Sequence, residues 1–236
     1  FVRPALFEDL RVVRREGGGD TSVVAADPNL VAAALAKVGL TDQEMQVRST
    51  LSVSLSQAVF AKRVVLCEGR TDSALLEAVA SIDRPFEQDG IAVAECHGKP
   101  IIPVALAILN GLRIPCFVLF DADRTAKEKI EENEKLTPAE REGQIKGIAT
   151  KNRQLLELCD EAPEDWPARE VRDRCANFTG NVESDIRDIW PELVAERNRI
   201  AAELGLGLKS GEVYRRAPEG AGDVPGYFVR LLAAIR

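Results

Sequence analysis

From residue 62 onward, short apolar runs alternate with stretches of helical periodicity. The runs at 63–67, 90–95 and 115–120 are built mainly from Val, Ile, Phe, Leu, Ala and Cys. They are too short for buried helices and read as strands. Between them, 72–82 and 100–110 repeat apolar residues three and four apart, which predicts helices. Strands alternating with helices build βαβ units and a parallel sheet. A further strand is expected at 174–178, after a charged stretch at 124–172. Ile145, Ile148, Leu155, Leu156 and Leu158 give that stretch an apolar face, so it reads as an inserted helical subdomain, broken at Pro163, Trp166 and Pro167. A helix at 191–204, a glycine-flanked loop at 205–211 and a helix at 227–235 follow.

Ahead of the sheet the pattern differs. Leu10 to Arg15 and Thr21 to Val24 flank the turn Gly17-Gly18-Gly19-Asp20, which predicts a hairpin. Residues 28–60 read as helix, with a stop near Gly39 and a restart at Thr41-Asp42. The expected organisation is an N-terminal extended and helical segment (1–60), an α/β domain (61–190) with its insertion at about 124–172, and a helical C-terminal segment (191–236) carrying Lys209. The opening Phe1-Val2-Arg3-Pro4 is neither an initiator Met nor a signal peptide, so a piece of a longer chain is expected.

Composition narrows the class. The chain is 45% hydrophobic and 29% charged, as in ordinary globular proteins, and no apolar run approaches the roughly 20 residues of a membrane span. Five cysteines without a CxxC spacing suit buried thiols in a reducing cytoplasm. The single His97 excludes a His-rich metal site. A net charge of −7 argues against electrostatic coating of nucleic acid. Acids that bind metal would reverse that sign locally.

The chemistry concentrates where apolar runs stop. Val64 to Cys67 ends at Glu68-Gly69-Arg70-Thr71-Asp72, and Phe117 to Phe120 ends at Asp121-Ala122-Asp123. On one parallel sheet, Glu68, Asp72, Asp121 and Asp123 converge at the carboxyl edge, where open α/β folds bind ligands. Carboxylates about 4 Å apart repel by about 4 kcal/mol per pair at an effective dielectric near 20, and a divalent ion relieves that cost. Gly69 suits a sharp turn, and Thr71 and Asp72 suit a helix start, so capping is the alternative for that motif. A solvated strand end is the alternative for the second. Asp121 to Thr125 also fits the hydrophobic-DxDx[TV] pattern of haloacid-dehalogenase-like phosphatases, with Asp121 as nucleophile and Asp123 as acid, although that family places the motif on its first strand. Glu183 and Asp185, in Gly180 to Ile186, either complete a metal site or form the first turn of a helix. Lys209, on the loop Gly207 to Gly211, is placed to neutralise phosphoryl charge. Lys99, in His97-Gly98-Lys99-Pro100, suits a substrate phosphate near a helix N-terminus, with His97 a bystander.

The ordered set Glu68-Gly69-x-Thr71-Asp72, Asp121-x-Asp123 and Glu183 resembles the TOPRIM domain of topoisomerases, primases and several nucleases. Within it, the chain is most similar to the OLD (overcoming lysogenization defect) family, through its Glu-Gly-x-Thr-Asp form, the insertion after Asp123, the later acids and the lysine loop. The resemblance implies a TOPRIM-like parallel sheet flanked by helices. It also implies a metal-dependent DNA endonuclease using two Mg²⁺ or Mn²⁺ ions. Glu68 is then a ligand or the base acting on water, with Asp121 and Asp123 on one ion. Asp72 and Glu183, with Asp185, hold the other, and Lys209 stabilises charge. ATP would enter only through an N-terminal ATPase domain, which would also be the route to a homodimer. A non-catalytic TOPRIM module that binds DNA is the remaining alternative.

Overall fold

Two short strands, β1 (Arg11–Arg15) and β2 (Thr21–Ala25), pair antiparallel as the alternation of the N-terminal segment predicts. This computed structural model describes residues 9–15, 19–40 and 53–236. Gly17, Gly18 and the expected helix restart at Thr41-Asp42 lie outside the described residues. Helices α1 (Pro28–Lys37) and α2 (Val53–Ala58) lead into the main sheet.

That sheet follows the sequence pattern closely. β3 (Arg63–Cys67), α3 (Arg70–Asp83), the one-turn α4 (Phe86–Asp89) and β4 (Ile91–Glu95) form the first βαβ unit. A 3₁₀ turn at Lys99–Ile101 then runs into α5 (Ile102–Gly111), and β5 (Cys116–Asp121) completes the second unit. The insertion holds α6 (Arg124–Glu131) and α7 (Pro138–Leu158). The chain returns through β6 (Glu170–Val171) and β7 (Cys175–Phe178). The strand order is β4-β3-β5-β7-β6. The first four strands are parallel, and β6 pairs antiparallel with β7 at the edge, so the expected parallel sheet gains one reversed strand. Two residues leave too little pattern to be read from sequence.

Alternate residues of each strand supply the two faces. Val65, Cys67, Phe117, Leu119, Ala176 and Phe178 face α3 and the C-terminal helices. Val64, Leu66, Val118, Phe120 and Cys175 face α1, α5 and α7. Burial on both faces explains why the strands read as continuous apolar runs. The five cysteines are all buried thiols.

The C-terminal helices are α8 (Val182–Ile189), α9 (Pro191–Leu204), α10 (Gly211–Gly220) and α11 (Gly226–Ile235). Leu193, Val213, Tyr214 and Phe228 share one core with β3 and β5. The sequence pattern does not predict α10, because Gly211, Pro218 and Gly220 mask a stripe of only Val213, Tyr214 and Ala217. α10 matters for the site because it packs against α3. A Cβ on Gly211 would meet Arg70 Cγ at 3.0 Å, so the two helix starts nearly touch. This approach brings the loop of Lys209 beside the turn that carries Asp72. Among the described residues, no helix is long and apolar enough to cross a membrane.

Candidate active site

β3 and β5 are neighbours, with Cys67 level with Leu119, so their acid-bearing ends lie side by side. Glu68 Oε1 accepts the Asp121 backbone N–H at 3.0 Å, which ties the two motifs together. Asp72 sits in the first turn of α3, and its Oδ2 accepts the Gly69 N–H at 2.9 Å. The helix start is therefore capped by Asp72 folding back on Gly69 rather than by Thr71. Gly69 is extended (φ −148°), a conformation open to any residue, so the turn does not depend on glycine freedom. In the turns beside these acids, His97, Gly98 and Asp123 are the residues at positive φ. Asp123, at φ 59°, is in a region that non-glycine residues rarely adopt. Its N–H donates to Gly180 O at 2.8 Å, which locks the turn.

Lys99 departs from the sequence expectation. It is only 5% exposed and points into the acids rather than outward to a substrate. Its Nζ donates to Asp123 Oδ2 at 2.5 Å, to Asn152 Oδ1 at 3.2 Å and to the Asp121 carbonyl. Glu68 Oε1 lies 3.8 Å away. His97 lies outside this group: its half-exposed ring pairs with Glu95 at 2.9 Å.

Asn152, on α7, is a residue that the sequence reading missed. It is fully buried, and its Nδ2 donates to Ala122 O at 2.9 Å and to Asp165 O at 2.8 Å. One signal was present: Asn152 stands on the buried stripe Ala149, Asn152, Leu155, Leu156, where an apolar residue is expected.

The remaining acids divide. Glu183, in the first turn of α8, raises the proton affinity of Asp72 and pairs with Lys209 at 3.2 Å. Lys209 is itself 79% exposed. Asp185 is turned elsewhere. Its Oδ1 accepts from Thr179 N–H at 3.1 Å and Arg169 Nη1 at 3.0 Å, and its Oδ2 accepts from Gly180 N–H at 2.9 Å. Those bonds build the β7–α8 turn, whose Gly180 carbonyl in turn holds Asp123.

Burial holds Glu68, Asp72 and Asp121 toward their neutral forms. Asp72 is pushed up to about 7 by burial first, with Glu68, Glu183 and Glu95 adding to it against the Gly69 hydrogen bond. Burial also raises Glu68 and Asp121; at Asp121 the charges of Asp72, Glu68 and Asp123 reinforce it. In chelator, the native protein therefore keeps protons that the unfolded chain, with Asp near 3.9, has released. Stability from this source is present below about pH 4 and is lost as the pH rises through about 7. The expected result is a melting temperature about 5 °C or more lower at pH 8 than at pH 5. Asp72→Asn should flatten the profile, as scanning calorimetry would show.

The donor set is all oxygen, the kind that suits Mg²⁺ or Mn²⁺. Among the described residues, no three His, Cys, Asp or Glu side chains already close around one point. The oxygens of Asp121, Asp123 and Asn152 instead surround the Lys99 ammonium, which stands in as a cation. The site thus fits a hard cation in ligand chemistry and in charge.

Residues 59–123 match the family model described as Overcoming lysogenization defect protein-like, TOPRIM domain. Over that segment the TOPRIM resemblance read from Glu68, Asp72, Asp121 and Asp123 is borne out. Similar solved structures include the C-terminal region of the Burkholderia pseudomallei OLD protein, at 20% identity and a TM-score of 0.47, covering 75% of this chain and 98% of that one. The C-terminal region of the Xanthomonas campestris pv. campestris OLD protein is also similar, at 18% identity and a TM-score of 0.42, covering 75% and 95%. No curated protein matches the sequence.

Proposed function

We propose that this chain is a metal-dependent nuclease module that hydrolyses phosphodiester bonds in DNA. One observation carries the reading: Glu68, Asp72, Asp121 and Asp123 gather at the carboxyl ends of two adjacent parallel strands, with the Lys99 ammonium set among them. The OLD-like TOPRIM match supports a metal-binding module of the nuclease type.

Glu68, Asp121 and Asp123 would hold one Mg²⁺ or Mn²⁺, and Asp72 with Glu183 a second. When bound, such ions polarise the scissile phosphoryl group and stabilise the oxygens of an in-line displacement. The protein's part is placement. Asp121 N–H holds the Glu68 carboxylate against β5, and the left-handed turn aims Asp123 inward. Asp185 shapes the neighbouring turn through its three hydrogen bonds, so we assign it a supporting role rather than a ligand's. A cleft of about 480 Å³ beside Glu183 carries Lys129, Arg187 and Lys209 together with Glu128 and Glu132, so of its charged groups the exposed Lys209 is the one we assign to the phosphate backbone.

Residues 61–190 with the shared C-terminal helices would then act as the nuclease part of a cytoplasmic ATPase–nuclease. Any dependence on ATP and any dimer would come through an N-terminal ATPase domain. The test is cleavage of supercoiled plasmid with Mg²⁺, Mn²⁺ or chelator. Cleavage should require the metal and vanish in Asp121→Ala; undiminished cleavage by that variant and by Glu68→Ala would end the reading.

Lys209→Ala separates substrate charge from folding. An exposed ion pair contributes at most about 1 kcal/mol, so unfolding should be almost unchanged. Loss of one charge-stabilising group should lower kcat about 100-fold. Single-turnover cleavage beside a urea titration measures both.

A further inference from the structure

The position of Lys99 has a consequence for how the site takes up its ions. An ammonium has three N–H donors, and all three have acceptors here: Asp123 Oδ2, the Asp121 carbonyl and Asn152 Oδ1. A lysine only 5% exposed, with every donor paired to oxygen, is a filled cation site and not a side chain waiting for a ligand. The backbone is shaped to deliver it. Gly98, at φ 123°, occupies a conformation that residues with a Cβ rarely adopt, and its N–H is bonded to Glu68 O at 2.8 Å. The lysine loop is thereby fastened to the backbone of Glu68, whose carboxylate lies 3.8 Å from the ammonium.

We propose that Lys99 is a built-in counter-ion that closes the metal-free site, so that divalent-ion loading is an exchange in which the ammonium leaves Asp123. This rests on the metal-dependent reading above. A carboxylate oxygen bonded to an ammonium is withheld from a metal, and a positive charge beside Glu68 and Asp123 repels a second cation. The exchange needs somewhere for the lysine to go. Lys99 also lines a groove of about 540 Å³ between α5 and α7, together with Pro103, Lys146, Gly147 and Lys151. An ammonium released into that groove sits among other lysines, where a phosphate backbone would balance it. Lys99 would thus trade a carboxylate partner for a phosphate partner when metal and substrate are present.

The experiment is a Mn²⁺ titration of the 236-residue chain, with free Mn²⁺ followed by electron paramagnetic resonance and no substrate added. Lys99→Gln should bind Mn²⁺ about tenfold more tightly than the wild type, because a like charge is removed from beside the ion. Lys99→Arg keeps the charge and should stay near the wild-type affinity. Thermal unfolding gives a second readout. Lys99→Gln should melt lower than the wild type in chelator and recover more on adding Mn²⁺. Should Lys99→Gln fail to fold in chelator, folding restored by Mn²⁺ alone, seen by circular dichroism, supports the exchange, and no folding in either condition overturns it. Equal or weaker Mn²⁺ binding by Lys99→Gln, with binding lost in Glu68→Gln, overturns the counter-ion role and leaves the metal site standing. Absence of Mn²⁺ binding in the wild type and Lys99→Gln alike removes the metal reading and this inference together.

Discussion

Glu68→Gln should lower Mg²⁺- or Mn²⁺-dependent plasmid cleavage by about 10³-fold while leaving the metal-free protein as stable as the wild type or more so. The two effects share one cause. Glu68 Oε1 accepts the Asp121 N–H, and the amide oxygen of glutamine can accept the same bond, so the link between β3 and β5 survives. The substitution removes negative charge. Glu68 is among the groups that raise both Asp72 and Asp121, so its neutralisation relieves repulsion that the folded chain now carries. Lys99 loses one carboxylate neighbour, at 3.8 Å, but keeps its three hydrogen-bond acceptors. An ordinary structural glutamate would show the reverse pattern, with stability falling and activity following it. The same variant separates nuclease from aspartyl phosphatase, because a phosphatase using Asp121 as nucleophile and Asp123 as acid assigns Glu68 no reacting role. Plasmid nicking and thermal unfolding on one preparation measure both effects. Activity within tenfold of the wild type would remove Glu68 from the chemistry.

Local pattern made the strand ends legible. A buried strand of a parallel sheet reads as an unbroken apolar run, so a carboxylate directly after it, as at Glu68 or Asp121, marks the sheet edge. Interactions between distant segments were not legible. Lys99 reads as a loop lysine until α7 brings Asn152 against it, across 53 residues of sequence. Glu183 and Asp185 share one motif, and only the fold separates them. One faces Asp72 and Lys209, while the other turns back to cap Thr179 and Gly180. Helix α10 was hidden because its glycines and proline speak for a loop, and its apolar residues gain meaning only against α3.

The largest stability loss is expected from Asn152→Ala, in the insertion rather than in the sheet. Asn152 spends both Nδ2 protons on backbone carbonyls, Ala122 O and Asp165 O, and its Oδ1 on Lys99. Alanine leaves the Ala122 carbonyl and one Lys99 donor without their partner in a buried place, and frees the part-buried Asp165 carbonyl as well. Each such group costs about 1–3 kcal/mol, so a loss of about 3–5 kcal/mol is expected, a large share of the roughly 5–15 kcal/mol that holds a domain together. Urea unfolding should show a lower midpoint at an unchanged slope. Asn152→Asp is the sharper companion. It keeps the acceptor for Lys99 but turns a second carboxylate oxygen toward two carbonyl oxygens, so it should be at least as destabilising at neutral pH. The functional consequence follows from where Ala122 sits. Its carbonyl lies between Asp121 and Asp123, and freeing it loosens the left-handed turn that aims Asp123. Cleavage by Asn152→Ala should therefore fall even at temperatures where the variant remains folded, in contrast to a core cavity such as Leu156→Ala, which should cost stability and spare the turn. A loss below about 1 kcal/mol, with normal cleavage, would show that α7 packs on the site without holding it.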